Sequence, residues 1–281
     1  MAGKRGRSNT WKTVALYCVL AFYVVYVLFP FYWAFQASFR SIYDIFDPSA
    51  LLIPKRLTLE NYVHVLKNTN FVKWFGNSVI VSVCSTVISV LISGVAAYAI
   101  ARMRFRGSGV LATSVLATYL IPPSVLFIPL LVVVNKLGLT NRISSLIVTY
   151  PTFTVPFCTW FLIGFYRSIP IELEEAAMID GCSRITMLRK VIAPLALPGL
   201  IGAGIYCFNL CWMEFMYALT FISSDTAKTL PVGITDIKMG DAFQWGQLMA
   251  AGVMTAIPVV VLFIMLQRYF ISGLTAGSVK S

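Results

Sequence analysis

The chain has 281 residues, 58% of them hydrophobic and 12% charged, and its mean hydropathy is +0.81. Soluble domains carry roughly 25% charged residues, so the composition excludes that class and indicates an integral membrane protein. The 22 basic and 11 acidic residues give a net charge of +11, but no basic stripe with interleaved aromatics stands clear of the apolar segments, which argues against nucleic acid as a partner.

In chain order, residues 1–12 form a basic segment carrying Lys4, Arg5, Arg7 and Lys12, expected on the cytoplasmic side with Met1 to Thr10 disordered. Thr13 to Phe35 holds no charge, and its 23 residues would rise roughly 34 Å as a helix, enough for a hydrocarbon core of about 30 Å. It is too long and too aromatic for the apolar region of a cleaved signal peptide. Gln36 to Gly76 is a polar excursion with Asp44, Asp47, Lys55, Arg56, Glu60 and the single histidine, His64. Thr58 suits the N-cap of a surface helix running to Leu66, and Phe71 to Phe75 suits the membrane interface. His64 has no nucleophile or carboxylate spaced to use it and reads as a solvated surface residue.

Asn77 to Ala101 is the second span. Ser82, Ser85, Ser89, Ser93 and Ala97 recur on one helical face, where small residues let another helix approach closely. The turn from Arg102 to Gly107 is basic and therefore cytoplasmic. Ser108 to Val134 returns across the membrane, interrupted by Pro122, Pro123 and Pro129, and Ser144 to Tyr166 is the fourth span. Such prolines free carbonyls that protein or a water-lined cavity must satisfy. Pro198 to Ile222 is the fifth span, Ser223 to Gln247 an external loop and Leu248 to Ile271 the sixth span.

Residues 13–271 thus read as one transmembrane domain and 272–281 as a cytoplasmic tail. The expected fold is an all-α polytopic membrane protein with six transmembrane helices and both termini cytoplasmic. On this topology thirteen of the basic residues lie inside and nine outside, five of those nine in the long first excursion, where charge has less say in orientation. Five of the six cysteines fall in apolar spans and Cys182 in a polar segment, with no C-x-x-C pair, so they read as packing residues and not as metal ligands.

One polar segment between spans, Ile171 to Pro198, itself reads as structured. Pro170 and the acidic run Glu172, Glu174, Glu175 mark a helix start, and Gly181 can turn left-handed to end it. A second short helix begins at Ser183 and carries Arg184, Arg189 and Lys190 to Pro194. By spacing alone this knob is an amphipathic connector or a docking element.

Glu214 is the one carboxylate inside a span, about 24 Å along the helix from Pro198 and so in the outer half. Intramembrane acids are functional candidates by default. Tyr206, Leu210, Glu214 and Tyr217 share one helical face, with Asn209 nearby. A carboxylate between aromatic rings suits a sugar, whose hydroxyls bond the acid while its C–H faces stack; capping or pairing with a neighbouring subunit is the alternative. The sequence holds no G-x-x-x-x-G-K-[ST], no H-E-x-x-H and no serine elbow, so it supplies no nucleotide cradle of that kind and no recognisable catalytic centre.

The run Glu175-Ala176-Ala177, then Asp180-Gly181, then Val191-Ile192-Ala193-Pro194 resembles the EAA loop of binding-protein-dependent ABC importer permeases, with Val191 and Ala193 in place of the usual Ile and Leu. Trp212-Met213-Glu214-Phe215 is similar to the Trp-Asn-Glu-Phe of the sugar branch, Met213 replacing Asn. Gln267 to Gly277 resembles the ending of maltose-type (MalG-like) carbohydrate permeases. The resemblance implies an inner-membrane subunit that pairs with a second homologous permease, two ATP-binding subunits and a periplasmic or lipid-anchored solute-binding protein to import a sugar. It implies that Glu175, Ala176, Ala177, Asp180, Gly181 and Pro194 couple to the ATPase, that the tail can reach the ATPase dimer, and that ATP and magnesium sit on the partner. This chain itself then needs no cofactor and is not an enzyme. An ion-coupled secondary transporter using Glu214 as its relay is the rival reading.

Overall fold

The computed structural model describes residues 7–41, 44, 56–103, 105–239 and 244–276. Among these residues the secondary structure is helical, apart from one isolated bridge between Arg40 and Leu57. Five helices are long and apolar enough to cross a membrane, and a helix pair bent by 94° makes a sixth when counted as one broken span.

The chain divides into two compact units, Met1–Thr69 with Asp236–Met254, and Asn70–Thr235 with Thr255–Ser281. In the first unit, α1 (Arg7–Ser38) already begins within the N-terminal segment expected to be disordered, and its apolar side chains from Val14 to Phe35 are largely exposed. Helix α2 (Glu60–Asn68) follows, and Thr58 Oγ1 accepts the Glu60 N–H at 3.1 Å, close to the expected start. The ends of α1 and α2 are tied by polar bonds: Asn61 donates to the carbonyls of Ser38 and Arg40, and the Ser38 and Tyr62 hydroxyls meet at 2.6 Å. His64 is half-buried, not the solvated residue expected.

The second unit is built around α3 (Phe71–Arg102), which starts six residues earlier than the expected span. Phe71 and Trp74, expected at the membrane interface, are buried in its first turn, and the Trp74 indole donates to the Asp225 carbonyl at 2.8 Å. Its serine face is fully buried against neighbouring helices. Ser89 meets the Thr154 hydroxyl at 2.6 Å and Ser93 donates to the Val155 carbonyl, so small side chains give both close approach and interhelical bonds.

Helices α4 (Ser108–Tyr119) and α5 (Pro123–Lys136) form the bent pair, broken at Leu120–Pro122 because Pro122 and Pro123 lack the N–H groups a continuous helix needs. Helices α6 (Ile143–Thr149) and α7 (Pro151–Ser168) together make the next crossing. Beyond it lie α8 (Glu172–Ile179) and α9 (Arg184–Met187), a π-turn over Leu188–Ile192, and α10 (Ala193–Trp212).

The fifth span departs from its expected boundaries, Pro198 to Ile222. The second knob helix does not stop at Pro194 but runs on as one continuous crossing, Arg184–Trp212, and the helix then breaks at Met213–Phe215 before α11 (Met216–Phe221). Pro194 lies inside this continuous helix, two residues after the π-turn over Leu188–Ile192, the kind of local irregularity that accompanies a proline in a helix. Helix α12 (Leu230–Met239) occupies the expected external loop, and α13 (Trp245–Ala276) extends into the expected tail. Residues 277–281 of that tail lie outside the described residues. The thiols of Cys158 and Cys207 pack together in the core between α7 and α10, and both are free.

Candidate functional site

Two places in the second unit gather the residues singled out above. The first is the knob. Glu172, Glu174 and Glu175 open α8, where backbone N–H groups favour negative charge. At its other end Gly181 has φ +80°, the Cys182 N–H bonds the Ala177 carbonyl at 3.0 Å, and the Gly181 N–H bonds the Met178 carbonyl at 3.1 Å. This pair of bonds is a Schellman stop, in which a left-handed residue satisfies carbonyls the helix would otherwise orphan. Its accompanying apolar contact is present too, since Ala177 is buried in the cluster that Cys182 packs against. Ser183 Oγ then accepts the Thr186 N–H and caps α9.

The knob is fixed to the spans by a feature that motif reading did not single out. Glu174 is only 6% exposed and pairs with Arg102 Nε at 3.0 Å. Arg102, the last residue of α3, also donates from Nη2 to the Tyr166 carbonyl at 2.6 Å and to the Ile169 carbonyl at the end of α7. The Tyr98 hydroxyl donates to Glu174 Oε2 at 3.4 Å. One guanidinium thus joins the ends of two spans to the start of α8. The available signal was helical phase: Glu174 and Ala177 are three apart and face inward together, while Glu172, Glu175 and Ala176 face out.

The outward side of the knob is apolar where solvent would favour polar residues. Ile179 is 85% exposed and Ile185 72% exposed, with Met178, Leu173 and Ile171 exposed beside them. Asp180, Gly181 and Pro194 are exposed as well. Contiguous apolar surface rimmed by charge marks a contact site.

The second place is where two helix breaks meet. Glu214 lies in the break before α11 and its carboxylate accepts the N–H groups of Tyr217 at 2.8 Å (Oε1) and Ala218 at 3.2 Å (Oε2). A third bond to Oε2 comes from the buried Tyr150 hydroxyl at 2.8 Å. The carboxylate therefore takes the donors that a continuous helix would have spent on its own carbonyls, which explains a break in a stretch free of proline and glycine. The adjacent Tyr217 hydroxyl donates to the Pro123 carbonyl at 3.0 Å, linking this break to the one between α4 and α5.

Tyr206, Leu210, Glu214 and Tyr217 all line one cavity of about 350 Å³ in this region, together with Tyr119, Pro122, Pro123, Thr152 and Phe153. Asn209 lines a different cavity, of about 260 Å³, which it shares with Tyr206, Phe208, Val259, Leu262 and Phe263. Among the described residues no three His, Cys, Asp or Glu side chains are grouped to hold a metal ion.

Comparison with known proteins matches residues 89–275 to the family described as binding-protein-dependent transport system inner membrane component. The chain is 36% identical to the inner membrane ABC transporter permease protein YcjP of Escherichia coli over 97% of its own length and 98% of that protein's. It is likewise 36% identical to the trehalose/maltose transport system permease protein MalG of Thermococcus litoralis, over 98% of this chain and 99% of that one. In fold it is similar to a chain of a bacterial ABC transporter involved in the import of the acidic polysaccharide alginate, with a TM-score of 0.81 at 22% identity, covering 96% of this chain and 100% of that one.

Proposed function

Because the chain belongs to the family of binding-protein-dependent transport system inner membrane components, we propose that it is the permease subunit of a carbohydrate ABC importer. A relative that is named for trehalose and maltose transport and aligns over almost the whole chain supports carbohydrate as the cargo class. In this reading the protein lies in a bacterial inner membrane with both termini and the knob in the cytoplasm. It pairs with a second permease, two ATP-binding subunits and a solute-binding protein that is periplasmic or lipid-anchored. ATP and magnesium act on the ATP-binding subunits, and this chain contributes no catalytic group.

The observation that carries the reading is the knob itself: a short helix with exposed Ile179 and Ile185, anchored from behind by the Arg102–Glu174 pair to the ends of α3 and α7. A helix resists bending because its backbone bonds are satisfied internally, so force applied to α8 passes to the spans as a rigid-body displacement. Glu175, Ala176, Asp180, Gly181 and Pro194 form the coupling surface, with Ala177 holding the turn beneath it. Closure of the ATPases on ATP would move the knob and reorient the spans. Released sugar would then pass the Tyr206, Asn209, Glu214 and Tyr217 region. The exposed apolar side chains of α1 face lipid or the second permease.

The test is uptake by proteoliposomes carrying the purified complex and its binding protein. Accumulation of sugar should require ATP and survive collapse of the proton gradient by a protonophore. Uptake that needs the gradient and ignores ATP would replace this reading with ion-coupled transport through Glu214.

A further inference from the structure

The cavity where the two breaks meet carries an inference that rests on the permease reading and narrows it. We propose that this cavity is a subsite for one uncharged pyranose unit, so that this chain itself touches the sugar and selects against acidic ones.

Three observations lead there. First, Tyr119, Phe153, Tyr206 and Tyr217 put aromatic rings around a space of about 350 Å³, within the range of small-ligand sites. Rings of this kind match the C–H faces of a pyranose. Second, the walls offer acceptors to hydroxyl groups. Pro123 has no N–H to give the Tyr119 carbonyl four residues earlier. The Glu214 carboxylate, held by Tyr150, Tyr217 and Ala218, forms part of the same wall.

Third, the charge is one-sided. Among the described residues no Lys, Arg or His lines the cavity, and Glu214 is the one carboxylate in its wall. Two N–H groups of α11 and the Tyr150 hydroxyl hold that carboxylate in place, so it does not seek a cationic ligand, while a second acid brought beside it meets repulsion with no basic residue to relieve it. At about 6 Å and an effective dielectric of about 20, that repulsion weakens binding of an acidic sugar roughly hundredfold. Leu120 and Ile121 in its lining are exposed at the break itself.

The experiment uses the complete complex with its partner permease and ATPases in detergent, without the binding protein. Saturation-transfer NMR follows maltose, trehalose, cellobiose and diacetylchitobiose as neutral probes and digalacturonate as the acidic one. At least one neutral sugar should bind, with digalacturonate roughly hundredfold weaker. Tyr206→Ala, which removes a stacking face, and Leu210→Trp, which fills the space, should each weaken the neutral sugar about tenfold or more. Co-purification with the ATPases reports that both variants assemble. Equal binding of digalacturonate, or neutral-sugar binding untouched by both variants, overturns the subsite. If sugar-loaded binding protein still stimulates ATP hydrolysis in that case, the importer reading stands and the sugar travels along the partner. A wild-type complex that neither binds sugar nor responds to the loaded binding protein overturns both.

Discussion

Glu174 and Glu214 are both acids withdrawn from solvent in the same unit, and their surroundings differ in kind. Glu174 faces a guanidinium, and that guanidinium also holds the ends of two spans. Among the described residues Glu214 pairs with no cation; backbone N–H groups and a tyrosine hydroxyl satisfy it. An ion pair that reaches across three helix ends is a joint, because each partner is costly to leave alone. A carboxylate held by the N-terminus of a short helix is a cap, which shapes a break and leaves the adjoining cavity without a basic group. The contrast separates a place built to transmit force from a place built to receive an uncharged molecule.

The comparison breaks most sharply at Glu174. Glu174→Ala strands Arg102 in a buried site, and losing one partner of such a pair costs about 3–5 kcal/mol. The purified complex should show a large fall in melting temperature. A paired replacement, Glu174→Leu with Arg102→Leu, should recover part of that loss but fall short of wild type, since the carbonyls of Tyr166 and Ile169 lose their donor. Full additivity of the two single changes would show that the residues do not act as a joint.

Glu214→Ala should cost less, about 1–3 kcal/mol, because it leaves the Tyr150 hydroxyl unpaired in the interior without stranding a charge. Glu214→Gln keeps an acceptor oxygen and should cost less again. Thermal unfolding of the two variants side by side checks the order, and a glutamine as damaging as the alanine would mean that the negative charge matters beyond capping. The smallest effect is expected at Ser89→Ala, about 0.6 kcal/mol for one interhelical bond to Thr154. A loss several times larger would show that the serine face does more than pack.

Legibility in the sequence followed the reach of the interactions. The knob was readable because its signals are local: acidic residues before Glu175, Gly181 at the turn and Ser183 as the next cap all act within a few residues. The serine face of α3 was readable for the same reason, being a simple period. The Arg102–Glu174 pair was not, since it joins positions 72 apart and each residue alone has an ordinary explanation in loop charge or helix start. The break at Met213–Phe215 was missed because an acid within an apolar run does not announce which backbone donors it will take. Tyr119, Thr152 and Phe153 came to the cavity only once the bends had been folded in.

The most direct test of force entering through the knob is ATP hydrolysis stimulated by sugar-loaded binding protein, measured on the reconstituted complex with Gly181→Val and Gly181→Asn. A Cβ at Gly181 meets nothing within 4 Å, so the penalty is purely the left-handed backbone, roughly 1–2 kcal/mol for an ordinary residue and less for asparagine. Stimulation should be lost in the valine variant and largely kept in the asparagine variant, with both inserted in the membrane and bound to the ATPases. Normal stimulation in the valine variant would contradict the account.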